Sequence, residues 1–230
     1  VGVPTTADFE LDADAMLAAI AEHQPAIVYL AYPNNPTANL WDDATIEAII
    51  EAAPGLVVMD EAYQPFAARD SRSRLQRHAH VLLMRTMSKF GLAGVRIGYL
   101  IGRAALIREL DKLRPPFNVS VLNAEAALFA LEHVDEYTRQ AAVIRAERES
   151  MQAALREMPG VQPFPSEANM ILVRVPDAAR VFAGMKARGV LVKNVSGLHP
   201  LLAGCLRITI GTPEENLQTL AALRGALADC

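Results

Sequence analysis

The chain has 230 residues, 52% of them apolar and 21% charged, with a formal net charge of −4. That length allows one large domain or two small ones, and the apolar share is enough for a well-buried core. The slight acidity and scattered basic residues remove the electrostatic case for nucleic acid, and no apolar run approaches the roughly 18 to 20 residues of a membrane-spanning helix.

The opening VGVPTTADFELD reads as a strand end and loop already in mid-fold, without an initiator methionine and without the basic flank and apolar stretch of a secretory signal. Asp12 to His23 predicts a helix, with Met16, Leu17 and Ile20 on one face and an aspartate near its start. AIVYLA (26–31) is a short continuous apolar run, the pattern of a buried parallel strand. Residues 42–53 predict a helix with Ile46, Ile49 and Ile50 in register, stopped by Pro54-Gly55. Further strands are expected at 56–59, 80–86 and 96–102, with a short helix at 71–78. Strands alternating with helices predict an α/β fold, a mostly parallel sheet sandwiched by helices.

The middle of the chain is helical by its apolar stripes, at 104–113, 119–133 and 135–158, with a break at Arg114-Pro115-Pro116. The Pro-rich MPGVQPFPSEA (158–168) is the expected domain boundary, dividing a large α/β domain (1–158) from a small C-terminal α+β domain (159–230). The latter reads as strand (169–175), helix (177–188), short strand (190–193), strand (205–211) and helix (213–228). Cys205 and Cys230 form no CxxC pair and no framework, which fits a reducing cytoplasm.

Chemistry-bearing residues follow three expected strands: YPNNPTANLWD after the first, DEAYQPF after the second, SKFGLAGVR after the third. In open parallel sheets ligands sit beyond the carboxyl ends of the strands. Asn35, Asp60, Tyr63, Ser88, Lys89 and Arg96 are therefore expected at one crevice. Each has an ordinary reading alone: Asn34-Asn35-Pro36 is a turn signal, Asp60 a loop cap, Lys89 a surface lysine, Gly91 and Gly94 plain turn residues. The glycine spacing matches no phosphate-loop fingerprint. His78 and His80 lack a matching ligand cluster and read as a solvated loop. Taken together the set means more. A desolvated lysine can present a neutral amine that forms a Schiff base with a carbonyl, and pyridoxal phosphate (PLP) is the cofactor built on that reaction. It needs a carboxylate at its ring nitrogen, hydroxyls and an arginine for its phosphate, and donors at its phenolic oxygen. Lys89, Asp60, Thr86, Ser88, Arg96, Asn35 and Tyr63 match those needs in kind.

NNPT, DEAY and SK…GLAGVRIGY, in that order, resemble the fold-type I PLP enzymes of the class I/II aminotransferase family. PPFNVSVLNAEAALFALEH, EANMILVRV and CLRITIGTPEENLQTLAAL resemble the histidinol-phosphate aminotransferases within it. The resemblance covers essentially the whole chain. It implies that Lys89 holds the cofactor covalently and moves the substrate proton, and that Asp60 pairs with the pyridine nitrogen. It implies that Asn35 and Tyr63 contact the phenolic oxygen and that Thr86, Ser88 and Arg96 bind the phosphate. Arg207, with Asn35 beside it in the substrate-binding set, is implied to take the anionic group of glutamate/2-oxoglutarate and of histidinol phosphate; its ordinary reading is a strand-edge surface charge. A cytoplasmic homodimer is implied too.

Three positions depart from the family pattern. Ala38 replaces the glycine after NNPT, a mild change unless the backbone there has a positive φ. Lys193 stands in for a second arginine, keeping the charge and losing the fork. SKFGLAG is one residue shorter than the commoner SKAFGLAG. Family members also carry a substantial N-terminal portion ahead of this chain's start, with a phosphate-cupping loop and a ring-stacking aromatic. The chain is therefore expected to be a piece of a longer protein that by itself binds PLP weakly or not at all; tight binding and full transamination by these 230 residues would refute this. Rival expectations are an aromatic amino acid aminotransferase, a phospho-amino-acid decarboxylase of the same fold, and a non-catalytic PLP-binding module.

Overall fold

The computed structural model describes residues 1–229; Cys230 lies outside the described residues. By their contacts these fall into two units, Val1–Asn34 with Leu40–Arg139, and Asn35–Asn39 with the residues from Gln140 on.

In the first unit the apolar runs become β1 (Ile27–Ala31), β2 (Leu56–Asp60) and β3 (Val81–Thr86), parallel and adjacent in that order. A fourth strand, β4 (Gly98–Ile101), pairs antiparallel with β3, from Thr86↔Gly98 to Leu83↔Ile101. The cause is the connection: residues 87–97 hold only one short 3₁₀ turn, Ala93–Val95, too little for the helical crossover a parallel strand requires.

Helices α1 (Ala13–His23) and α2 (Asp43–Ala52) each start at an aspartate cap: Asp12 Oδ1 accepts from Ala15 N at 3.0 Å, and Asp42 Oδ2 from Thr45 N at 2.7 Å. The second ends at Ala53, whose extended backbone is what a following proline demands. Gly55 then lets β2 start against β1, since a Cβ there would lie 2.1 Å from Ala26 O. Ile46, Ile49 and Ile50 are fully buried among Ile20, Val28, Leu30, Val57, Met59 and Leu83. Each such side chain contributes about 1.5–3 kcal/mol relative to exposure. The short α3 (Arg72–Arg77) precedes β3.

Strand alternation sends Val28, Leu30, Val57, Met59 and Leu83 into that core. The opposite face carries Ile27, Tyr29, Val58, Asp60, Met84, Thr86 and Leu100. There α4 (Ala104–Asp111) contributes Ile107 and Leu110 to a cavity of about 570 Å³ that also borders Asp60, Met84, Thr86 and Leu100. Next come α5 (Val121–Glu132), capped by Ser120, and the 23-residue α6 (Val134–Arg156).

The second unit is an antiparallel sheet in the order β5-β6-β8-β7, made of β5 (Gln162–Pro163), β6 (Met170–Arg174), β7 (Lys193–Asn194) and β8 (Cys205–Thr209). Its core joins Met151, Leu155, Ile171, Val173, Leu206 and Ile208 to α7 (Ala178–Ala187) and α8 (Pro213–Ala228). A capping box between Thr212 and Glu215 starts α8. Cys205 is a buried thiol; burial pushes its pKa up, and it packs as a small apolar side chain.

By contacts the chain crosses between units on either side of Asn35–Asn39 and again after Arg139 inside α6, and the Pro-rich stretch 158–168 lies within the second unit. That stretch belongs to the core of the second unit. Met158 is buried there, Phe164 N donates to Leu172 O at 2.9 Å, and Gln152 Nε2 donates to Phe164 O at 2.8 Å. Its prolines and its left-handed Gly160 turn the chain from α6 into β5 rather than loosening it. No helix among the described residues is long and apolar enough to cross a membrane.

Candidate active site

In the first unit the site is built on the carboxyl ends of β2 and β3. Asp60 closes β2. Its Oδ2 accepts from the Tyr29 hydroxyl at 2.7 Å and its Oδ1 from Ala62 N at 3.0 Å, so both oxygens are held. Burial, then the hydrogen bond and negative charge of Asp60, push the Tyr29 phenol well above its usual value, and it stays a donor. Three residues on, buried Tyr63 leads into a 3₁₀ turn, Gln64–Phe66, and the Lys89 ammonium lies 5.2 Å from its ring centroid. Lys89 itself is only partly buried, less enclosed than a desolvated Schiff-base lysine is expected to be.

The turn carrying Lys89 is folded on itself. Met87 N donates to Ile97 O at 2.9 Å, Thr86 Oγ1 donates to Ile97 O at 3.2 Å, and Ser88 N donates to Thr86 Oγ1 at 3.1 Å. In this arrangement the hydroxyl proton of Thr86 goes to the backbone and helps hold the turn. Phe90 stacks on Tyr137 with centroids 4.9 Å apart. Gly91, at φ 114°, is needed because a Cβ would lie 2.9 Å from that same tyrosine ring. Exposed Arg96 sits in the left-handed region at φ 53°, its Nη1 3.4 Å from Ser88 Oγ and 3.3 Å from Ala93 O. Both contacts are long for a guanidinium. Ser88 and Arg96 are therefore adjacent donors free to turn onto an anion.

Beneath these residues lies an ion pair that motif reading missed. The Glu61 side chain, fully buried, accepts from Arg85 Nε at 2.9 Å and Nη2 at 2.7 Å, and its other oxygen accepts from Ser71 N. Burial works against the Arg85 charge, but the hydrogen bonds and charge of Glu61 outweigh it and push the guanidinium up. The pair locks Glu61, next to Asp60, against Arg85, next to Thr86. Alternation along β2 and β1 was the available signal for Tyr29; no spacing rule connects 61 with 85.

In the second unit Asn35 meets Arg207: Nη1 donates to Asn35 Oδ1 at 2.8 Å, while Arg207 Nε is buried without a hydrogen-bond partner. Arg207 is the middle residue of β8, paired with Leu172 on one side and Lys193 on the other. Lys193 opens β7. The loop behind Asn35 is fixed by Glu167 N donating to Ala38 O at 2.7 Å and Thr37 Oγ1 donating to Asn39 Oδ1 at 2.6 Å. Ala38 has φ 65° and is fully buried, so the condition that makes its replacement of glycine costly is met. Ala38→Val is expected to cost about 2–4 kcal/mol, from left-handed strain plus overpacking. Ala38→Gly should fall within about 1 kcal/mol of wild type, relief of strain offsetting the freer unfolded chain. Urea midpoints decide; a valine variant of wild-type stability would refute the strain.

Among the described residues no group of three or more His, Cys, Asp or Glu is placed to hold a metal ion. His78 pairs with Glu47, and His80 Nε2 lies 3.0 Å from Ile50 O.

A mostly parallel sheet whose strands close on Asp60 and Thr86, with Lys89 in the following turn, and a separate antiparallel α+β unit define an α/β protein. The chain belongs to the aminotransferase class I and II family, whose model matches residues 1–223. It is 71% identical over 231 residues to a histidinol-phosphate aminotransferase of Methylibium petroleiphilum (strain ATCC BAA-1232 / LMG 22953 / PM1), covering 99% of this chain and 62% of that protein. It is 65% identical to one from Acidovorax sp. (strain JS42), covering 64% of that protein. The chain thus spans less than two thirds of these relatives' length. Among solved structures it resembles the histidinol-phosphate aminotransferase of Sinorhizobium meliloti in complex with pyridoxal-5'-phosphate, at TM-score 0.81 and 29% identity, over 100% of this chain and 64% of that one. A decarboxylase from Sulfurospirillum multivorans matches at TM-score 0.85 and 25% identity, over 98% and 69%.

Proposed function

We propose that the protein to which these residues belong is a PLP-dependent aminotransferase of histidine biosynthesis, exchanging the amino group of histidinol phosphate with 2-oxoglutarate to give imidazole acetol phosphate and glutamate. The observation that carries it is the set at the ends of β2 and β3: a carboxylate with both oxygens held, a lysine in the next turn, and a guanidinium beside a hydroxyl. That donor set fits pyridoxal phosphate. Family membership and the relatives' names support the substrate. The same resemblance supports a cytoplasmic homodimer.

When bound, the cofactor supplies an electrophilic carbonyl and an electron sink. Asp60 would accept from the ring N–H, with Tyr29 and Ala62 N holding its two carboxylate oxygens. The family resemblance would give the cofactor phosphate to Thr86, Ser88 and Arg96, and the phenolic oxygen to Asn35 and Tyr63. Lys89 Nζ takes the proton from the substrate's α-carbon. Arg207, with its unpaired Nε, receives the substrate's anionic oxygens in a two-pronged contact. Lys193, directly across the ladder, adds a second positive charge. Like charges opposite one another repel, and a phosphate-bearing substrate relieves that repulsion.

The test is an absorbance spectrum of the full-length protein with PLP. A band near the visible edge should move on adding glutamate or histidinol phosphate. A large preference for phenylalanine would transfer the assignment to aromatic amino acids. Release of CO₂ from threonine phosphate would favour the decarboxylase reading suggested by the Sulfurospirillum likeness. Arg207→Ala should lower kcat/KM for glutamate about 100-fold or more while PLP affinity holds, since charge-assisted hydrogen bonds are lost only to substrate. A value within threefold of wild type would remove Arg207 from the substrate site.

A further inference from the structure

Tyr29 lies outside every motif that points to the cofactor, yet it touches the residue at the centre of the site. Within the parallel pair, Tyr29 is opposite Val58 and Ala31 is opposite Asp60. Side chains alternate, so Tyr29 and Asp60 share a face one diagonal step apart, a span an aromatic side chain can bridge. The bridge is made: the hydroxyl donates to Asp60 Oδ2 at 2.7 Å, with Met84 Sδ 4.0 Å away on the same face. Tyr29 is 54% exposed among the described residues. Its one strong contact is the carboxylate.

Asp60 stands at a strand end, where Ala62 N donates to its Oδ1. With that amide alone the carboxylate can rotate about its Cβ–Cγ bond. With the phenol on Oδ2 both oxygens are tied, and each keeps a lone pair for an incoming N–H. We infer that Tyr29 is a positioning residue for Asp60: its hydroxyl orients the carboxylate toward a protonated pyridine nitrogen and so sets how strongly the protein distinguishes that nitrogen. This rests on the PLP reading above.

The test compares PLP with its 1-deaza analogue, in which carbon replaces the ring nitrogen, by equilibrium dialysis on the full-length apoprotein, together with the thermal midpoint. Wild type should prefer PLP, and Asp60→Ala should erase the preference. Tyr29→Phe should reduce it about tenfold, chiefly through weaker PLP binding, because one hydrogen bond to a charged group is lost. Tyr29→His, which retains a ring N–H donor, should recover part of it. If Tyr29→Phe weakens both ligands equally, or lowers the thermal midpoint while leaving the preference intact, the positioning role is overturned and Tyr29 is structural. If wild type binds neither ligand, the PLP reading itself fails and takes this inference with it.

Discussion

Lys89→Ala in the full-length protein should abolish transamination, lowering single-turnover rates with glutamate by roughly 10³-fold or more, because both the covalent anchor and the proton carrier are removed. The fold should survive. The side chain is partly exposed and lies 5.2 Å from the Tyr63 ring centroid, a contact worth about 0.5–1 kcal/mol. The thermal midpoint should therefore move by only a few degrees. Borohydride reduction of wild type with PLP should add mass at Lys89 and none in the variant. A variant that retains a wild-type rate would sink the mechanism; one that unfolds would mean Lys89 is structural.

The largest stability effect is expected at Glu61. Glu61→Ala leaves the mostly buried Arg85 guanidinium with its longer contact to Asp70, at 3.4 Å, and removes the acceptor of Ser71 N. Removing one partner of a buried ion pair costs about 3–5 kcal/mol, much of it from the stranded charge. The double variant Glu61→Leu/Arg85→Met should be less destabilised than Glu61→Ala, because no buried charge is left alone. Urea unfolding of all three proteins is the measurement. Equal losses in single and double variants would show that packing, not charge, holds these strand ends together. Because Glu61 adjoins Asp60 and Arg85 adjoins Thr86, PLP affinity should fall along with stability.

Much of this was legible in the chain itself. Isoleucines at 46, 49 and 50 announced α2, aspartates at 12 and 42 its cap and that of α1, and unbroken apolar runs the three parallel strands. These signals are local, and local periodicity and capping chemistry suffice to read them. NNPT, DEAY and the lysine turn identified the kind of site because their order carries the chemistry. The division of the chain was less legible. Prolines at 158–168 look like a linker, yet Met158 and Phe164 bury themselves beside α6, and the division comes after Arg139 within a continuous helix.

The sequence by itself determined most of the elements and the family. Tertiary structure decided what each candidate site residue is free to do. Thr86 finds Ile97 O, eleven residues on, as the acceptor of its hydroxyl. Arg207 could have been a surface charge; Asn35, 172 positions away, takes one arm and leaves Nε unpaired in the interior. Ala38 looked like a mild replacement until its φ of 65° appeared. Tyr29 carried no motif, and only pairing β1 with β2 put its hydroxyl on Asp60. The reason is physical. A hydroxyl has one proton and a buried guanidinium a few directions, and which acceptor each finds depends on strands and loops brought together from distant parts of the chain.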